Sequence, residues 1–194
     1  MRPERTVIRA FYHRRPNLKS FQERANLLVQ QGNAARANGQ TDAAFRAYRE
    51  AIELVPAYAS LHLVIGEMHF EAQRYAEAAE AFEAVVAYDS GHDRAWASLG
   101  QCRLLLDDLE GAATAFDTAL AAQHENIEAN YYGAMLAAKA GDTRTAADRL
   151  HRALLLRPAW QPQAREDPLL GPLFESSRKL AGLGREKRWW ELWR

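Results

Sequence analysis

Small and large apolar residues recur along this chain at helical rather than strand spacing. Between Asp93 and Asn126, Ala112, Phe116 and Ala119 stand at i, i+4 and i+7, which puts a small, a large and a small side chain on one helical face. Trp96, Leu99 and Gly100 mark a second apolar stretch just upstream, and the missing side chain at Gly100 lets a neighbouring helix approach closely. The segment predicts two short amphipathic helices made to pack on each other. Moved along the chain in steps of 34 residues, the same register recurs without a gap. Ala59 to His92 places Gly66, Ala78 and Phe82 in the matching slots. Ala25 to Tyr58 places Gly32, Ala44, Tyr48 and Ala51 there and closes with Pro56; Ile127 to Trp160 places Ala134, Ala146, Leu150 and Ala153 there and closes with Pro158.

Within each unit the break between helices falls near the fifteenth residue, at Gly39, Gln73, Asp107 and Gly141. Glycine there permits the left-handed backbone that ends a helix. Thr41, Asp108 and Thr143 come next as caps for the second helix. Ahead of the first unit, Ser20-Phe21-Gln22-Glu23 has the form of a capping box and predicts a helix start before residue 25. After Trp160, Pro162, Pro168, Gly171 and Pro172 predict an irregular crossing. Leu173, Phe174, Leu180 and Leu183 then predict one short terminal helix that covers the last apolar face.

A repeat of this length, with Trp96, Leu99 and Gly100 ahead of Ala112, Phe116 and Ala119, resembles the tetratricopeptide repeat (TPR), and the other three units keep its phase. Val85, at a small-residue slot, and Ser90 and His124, where proline is common, depart from the pattern. The resemblance implies an all-α fold, a right-handed α-α superhelix or TPR solenoid. Its four helix-turn-helix repeats would span 25–58, 59–92, 93–126 and 127–160, with a C-terminal capping helix. Residues 1–24 would form a basic leading segment and the start of the first helix, and 161–194 the linker, the capping helix and a Trp-rich tail. The Asp-Pro-Leu-Leu-Gly-Pro-Leu-Phe stretch from Asp167 is similar to the segment after the last repeat in many bacterial members of the family.

The same resemblance implies a concave groove lined by the first helix of each pair. Its inward positions fall on Asn33 and Arg36, Glu67, Phe70 and Glu71, Arg94, Gln101, Leu104 and Leu105, and Tyr131, Met135 and Lys139. Apolar members would anchor a peptide or helix of a partner and the charged ones would set its direction. Family members that clamp the C-terminal carboxylate of Hsp70 or Hsp90 do so with lysine, asparagine and arginine side chains. The matching positions here are Val29, Asn33, Val64, Arg94 and Ser98, of which only Asn33 and Arg94 fit, so the resemblance argues against that clamp.

Composition narrows the function further. The chain has 194 residues, 48% hydrophobic, with 25 basic and 25 acidic side chains, so nothing global draws it to nucleic acid or anionic lipid. The charge is uneven: residues 1–24 carry +5, residues 25–160 carry −7 and residues 161–194 carry +2. The leading segment, with Arg2, Arg5, Arg9, Arg14 and Arg15 among Val7, Ile8, Phe11 and Tyr12, reads as a helix or tail over the first repeat, or as a contact for an acidic partner or RNA. No apolar run is long enough for a membrane span, and the start lacks a signal-peptide core, which points to the cytoplasm. Cys102 occupies a small buried slot and reads as a packing residue. No phosphate loop, CxxC pair, HExxH or GxSxG is present, and no cofactor or metal set converges; His62 and His69, two turns apart, would lie about 10 Å from each other.

The expectation is therefore a non-catalytic scaffold or adaptor for a protein or peptide partner. One motif stands outside it. Trp189, Trp190 and Trp193 lie within five positions and would share a helical face, which could fold back on the repeats, meet a second copy or partner, or touch a membrane. A self-assembling module, or a helper subunit for an RNA- or nucleotide-handling complex, are the alternative readings.

Overall fold

The computed structural model describes residues 18–183, and every regular element among them is helical. In chain order these are α1 (Leu18–Ala37), α2 (Thr41–Leu54), α3 (Ala59–Glu71), α4 (Tyr75–Tyr88), α5 (Asp93–Leu105), α6 (Leu109–Ala122), α7 (Ile127–Lys139) and α8 (Thr143–Leu156). A 3₁₀ turn at Pro158–Trp160 leads to α9 (Gln161–Glu166), α10 (Leu173–Ser176) and α11 (Arg178–Gly182). The chain forms two compact units, one ending at Leu61 and the other beginning at His62.

Each helical pair turns on a residue in the left-handed region: Gly39 at φ 72°, Gln73 at 58°, Asp107 at 61° and Gly141 at 80°. The residue after each one donates its amide to a carbonyl five residues back, as in Gln40 N to Ala35 O at 2.9 Å, Arg74 N to His69 O, Asp108 N to Arg103 O and Asp142 N to Ala137 O. This bond satisfies a carbonyl the helix end would otherwise leave open. Two of the second helices, α2 and α8, start one residue earlier than the sequence suggests, whereas α6 is capped by Asp108 as expected. Thr41 and Thr143 are first helical residues, whereas Gln40 and Asp142 are the caps, and only Asp142 and Asp108 supply a side-chain oxygen. Ser20 likewise lies inside α1 rather than at its start.

In the first unit, Ala25, Ala44, Tyr48 and Ala51 are fully buried. A Cβ on Gly32 would fall 2.4 Å from the Tyr48 ring, so the glycine is what admits the ring. The second unit repeats this fit twice, with Gly66 against Phe82 and Gly100 against Phe116, each at 2.6 Å from an imagined Cβ. In the last repeat both partners change together: Ala134 stands at the glycine slot and Leu150 at the aromatic one, both fully buried. A smaller side chain on one helix leaves room for a methyl on the other, at constant packing.

The turns between repeats that lack proline are held by polar side chains. The Trp96 indole donates to the Ser90 carbonyl at 2.9 Å, and His92 Nδ1 accepts the Ala95 amide. Asn126 accepts the Ala129 amide at 2.8 Å and donates to Asp93, one repeat back, at 2.7 Å, while Asn130 donates to the carbonyls of His124 and Asn126. Val85 is fully buried at its small-residue slot.

Beyond the repeats, the crossing after Trp160 contains the helix α9, and the terminal helix is broken in two at Ser177, whose ψ of 118° is extended. Asp167 closes the turn between α9 and α10 by accepting the amides of Leu169 and Leu170. Leu170, Leu173, Phe174 and Leu180 are buried in one cluster with Ala134, Leu150 and Leu154. Among the described residues, no helix is long and apolar enough to cross a membrane.

Candidate partner-binding groove

The second unit carries an apolar groove of about 310 Å³. Phe70 enters it from the end of α3, Gln101, Leu104 and Leu105 from the last turns of α5, Tyr132, Met135 and Lys139 from α7, and Leu169 from the Asp167 turn. Spacings of i, i+3 and i+4 on α5, and of i, i+3 and i+7 on α7, keep each set on one face. Leu105 is 53% and Leu169 40% exposed, so the apolar surface is open rather than filled. Tyr75 supports the Phe70 ring edge-on at 5.4 Å.

Among the described residues, the one charged side chain of this surface is paired: Lys139 meets Asp107 at 2.7 Å. Elsewhere in the unit Arg157 meets Glu128 at 3.3 Å, and Arg94 on α5 pairs with Glu67 on α3. The Arg157 guanidinium also lies 4.5 Å over the Trp160 ring. Burial, and after it the Glu128 carboxylate, raises the Tyr132 hydroxyl pKa above its ordinary value, so the ring keeps its proton and acts as a neutral wall.

Six of the inward residues expected from the sequence line the groove together: Phe70, Gln101, Leu104, Leu105, Met135 and Lys139. Tyr131 does not, and this corrects the expectation. It is 3% exposed and packs edge-on against Trp160 at 4.8 Å and Tyr132 at 5.4 Å, because the fourth repeat needs a large side chain under its closing turn. Tyr132 takes the open position, and the spacing back from Lys139 and Met135 could have identified it. Leu169 was missed because it lies outside the four repeats, yet it falls one 34-residue step beyond Met135, as Met135 does beyond Gln101. Glu67 and Arg94 are spent on each other, and Glu71 is exposed at the end of α3. Asn33 and Arg36 belong to the first unit, where Asn33 accepts the Tyr48 hydroxyl at 2.7 Å and Arg36 partly offsets the upward effect of burial on that hydroxyl's pKa. Trp189, Trp190 and Trp193 lie outside the described residues.

Reactive chemistry is not assembled around this surface. Cys102 is fully buried beside Leu99 and Phe82, and burial pushes its thiol up to about 12, out of reach of a thiolate role near neutral pH. Among the described residues, no group of three or more His, Cys, Asp or Glu side chains is placed to hold a metal ion.

Two tetratricopeptide repeat models match the chain, over residues 29–91 and 69–138, and together they run through more than half of it. The chain belongs to the tetratricopeptide repeat family. Among relatives, the general transcriptional corepressor trfA of Dictyostelium discoideum is 30% identical over 95 residues, 49% of this chain. The chain spans only 7% of that protein, and 16% of a second curated relative. The crystal structure of MamA protein superposes with a TM-score of 0.71 at 19% identity, covering 86% of this chain and 89% of that one, which shows the shared TPR fold. The first TPR of Spaghetti (RPAP3), bound to the HSP90 peptide SRMEEVD, gives 0.51 at 24% identity over 56% of this chain and 86% of that one.

Proposed function

We propose that this TPR chain is a non-catalytic protein-interaction scaffold whose groove, from Phe70 to Leu169, takes an apolar peptide or helix of a partner. The observation that carries the reading is an open apolar surface contributed by three successive repeats and the turn behind them, with Lys139, its one lining charge among the described residues, paired to Asp107. Rigid helices hold these side chains in place before binding, so little receptor entropy is lost on association. Helix-in-groove recognition of this sort needs two or three apolar anchors at i, i+3, i+4 or i+7. Although one TPR neighbour holds an HSP90 peptide, a carboxylate clamp does not suit this chain, because valines stand at positions 29 and 64 and Arg94 is committed to Glu67.

Selection from a phage-displayed peptide library tests the reading. The full chain is expected to enrich sequences with apolar pairs at helical spacing, and Leu105→Asp is expected to lose them while keeping the wild-type circular dichroism spectrum. Enrichment of the same sequences by Leu105→Asp would refute it.

A further inference from the structure

The Trp-rich segment is the one strong sequence feature that the groove reading leaves unused, and the structure brings its point of departure close to the groove. Leu183 packs on the cluster that contains Tyr131 and Trp160, and its carbonyl accepts from Gln161 Nε2 at 3.1 Å. Trp160 is two ring contacts from the groove wall, through Tyr131 to Tyr132. The end wall of the groove, Leu169, belongs to the same C-terminal region. From Leu183 to Trp190 the chain can reach up to about 25 Å.

Charge separates the groove from the opening between α8 and α11. Residues 184–194 contain Arg185, Lys187, Arg188 and Arg194 against Glu186 and Glu191. Among the described residues, the one charged side chain in the groove's lining, Lys139, is already paired with Asp107, so no unpaired cation there faces a basic segment. The opening beside Leu155 and Leu156 sets Arg152 against Glu125 and is neutral by its lining. The opening between α8 and α11 has Arg144, Arg178 and Lys179 against Asp148 alone, and that net positive lining would repel the tail's cations.

We propose that residues 185–194 dock in the groove of the same molecule, with indoles covering Leu105 and Leu169, so that a partner must displace them. The proposal rests on the groove being the binding surface. Each indole can bury on the order of 150–250 Å², and a short tether holds the segment at an effective concentration of about a millimolar. The tail would thereby set the threshold affinity that an incoming partner has to exceed.

The test uses full-length chains and a fluorescently labelled peptide of residues 185–194, with anisotropy as the readout. The triple variant Trp189→Ser, Trp190→Ser, Trp193→Ser is expected to bind the peptide at least about 10-fold more tightly than the wild type, whose own tail competes at that effective concentration. Adding Leu105→Asp to the triple variant is expected to abolish the gain. Equal binding by wild type and triple variant, or binding indifferent to Leu105→Asp, would overturn the proposal. So would a wild-type particle twice the mass of the triple variant, because the tail would then occupy a second copy. If the tail fails while library peptides still depend on Leu105, the groove reading stands and only the tail docking falls.

Discussion

The contact between Gly100 and Phe116 allows a quantitative test of what holds a repeat together. A methyl added at Gly100 would lie 2.6, 2.7 and 3.0 Å from Cε1, Cδ1 and Cζ of a ring that has no exposed surface. The ring would have to retreat by about 1 Å to restore carbon contacts of about 3.5–4.0 Å. Overpacking of this kind costs about 1–3 kcal/mol, against which alanine gains about 1 kcal/mol in helix propensity over glycine. Gly100→Ala alone is therefore expected to be neutral to about 2 kcal/mol destabilising. Phe116→Leu alone leaves a void and is expected to cost about 1–2 kcal/mol. Together they recreate the Ala134 and Leu150 pair of the last repeat, so the added methyl fills the void. The double variant should be no less stable than Phe116→Leu, with a favourable coupling of about 1–3 kcal/mol. Urea unfolding monitored by circular dichroism gives the cycle. Additivity within about 0.5 kcal/mol would show that the two positions do not constrain each other, and would refute the reasoning.

The turns yield two further expected outcomes. Gln73 holds a left-handed backbone without being glycine, so Gln73→Gly is expected to raise stability by about 1 kcal/mol in thermal unfolding; a loss would show that the Gln73 side chain itself supports the turn. At Asp142, the Thr145 hydroxyl and then its amide hydrogen-bond the carboxylate and hold its pKa below the usual range. Its contribution is therefore present above the ordinary carboxylate pKa and is lost as pH falls through the lowered one. Asp142→Asn, which caps without titrating, should gain in Tm relative to wild type as pH drops below about 4; a pH-independent difference would count against this role.

Much of this fold is legible in the sequence because the repeats register one another. The turn residues at 39, 73, 107 and 141 stand out even where the residue is Gln73 or Asp107, since the two glycine turns fix the phase for the others. Asp108 is read correctly as a cap, but the two threonine caps slip by one because a cap is defined by backbone angles, and threonine at a first helical position looks the same in sequence as threonine at a cap. Tyr131 and Tyr132 are confused for a related reason. Adjacent tyrosines differ by about 100° around the helix, and only the Trp160 ring, from beyond the inner helices, decides which one is buried. The break at Ser177 has no periodic neighbour to expose it.

The paired substitution at the glycine and aromatic slots also bears on how such a chain can change over generations. An exchange of genetic material at a junction between repeats moves both members of a pair as one cassette, and each repeat keeps its own lock. An exchange at the inner turn, between the two helices, would set Gly100 against Leu150 or Ala134 against Phe116. The first leaves a hole and the second a collision. Recombinants that join the last repeat to an earlier one should therefore break at the junctions rather than at the inner turns, whereas the first three repeats, which share the glycine and aromatic pair, can exchange at either place.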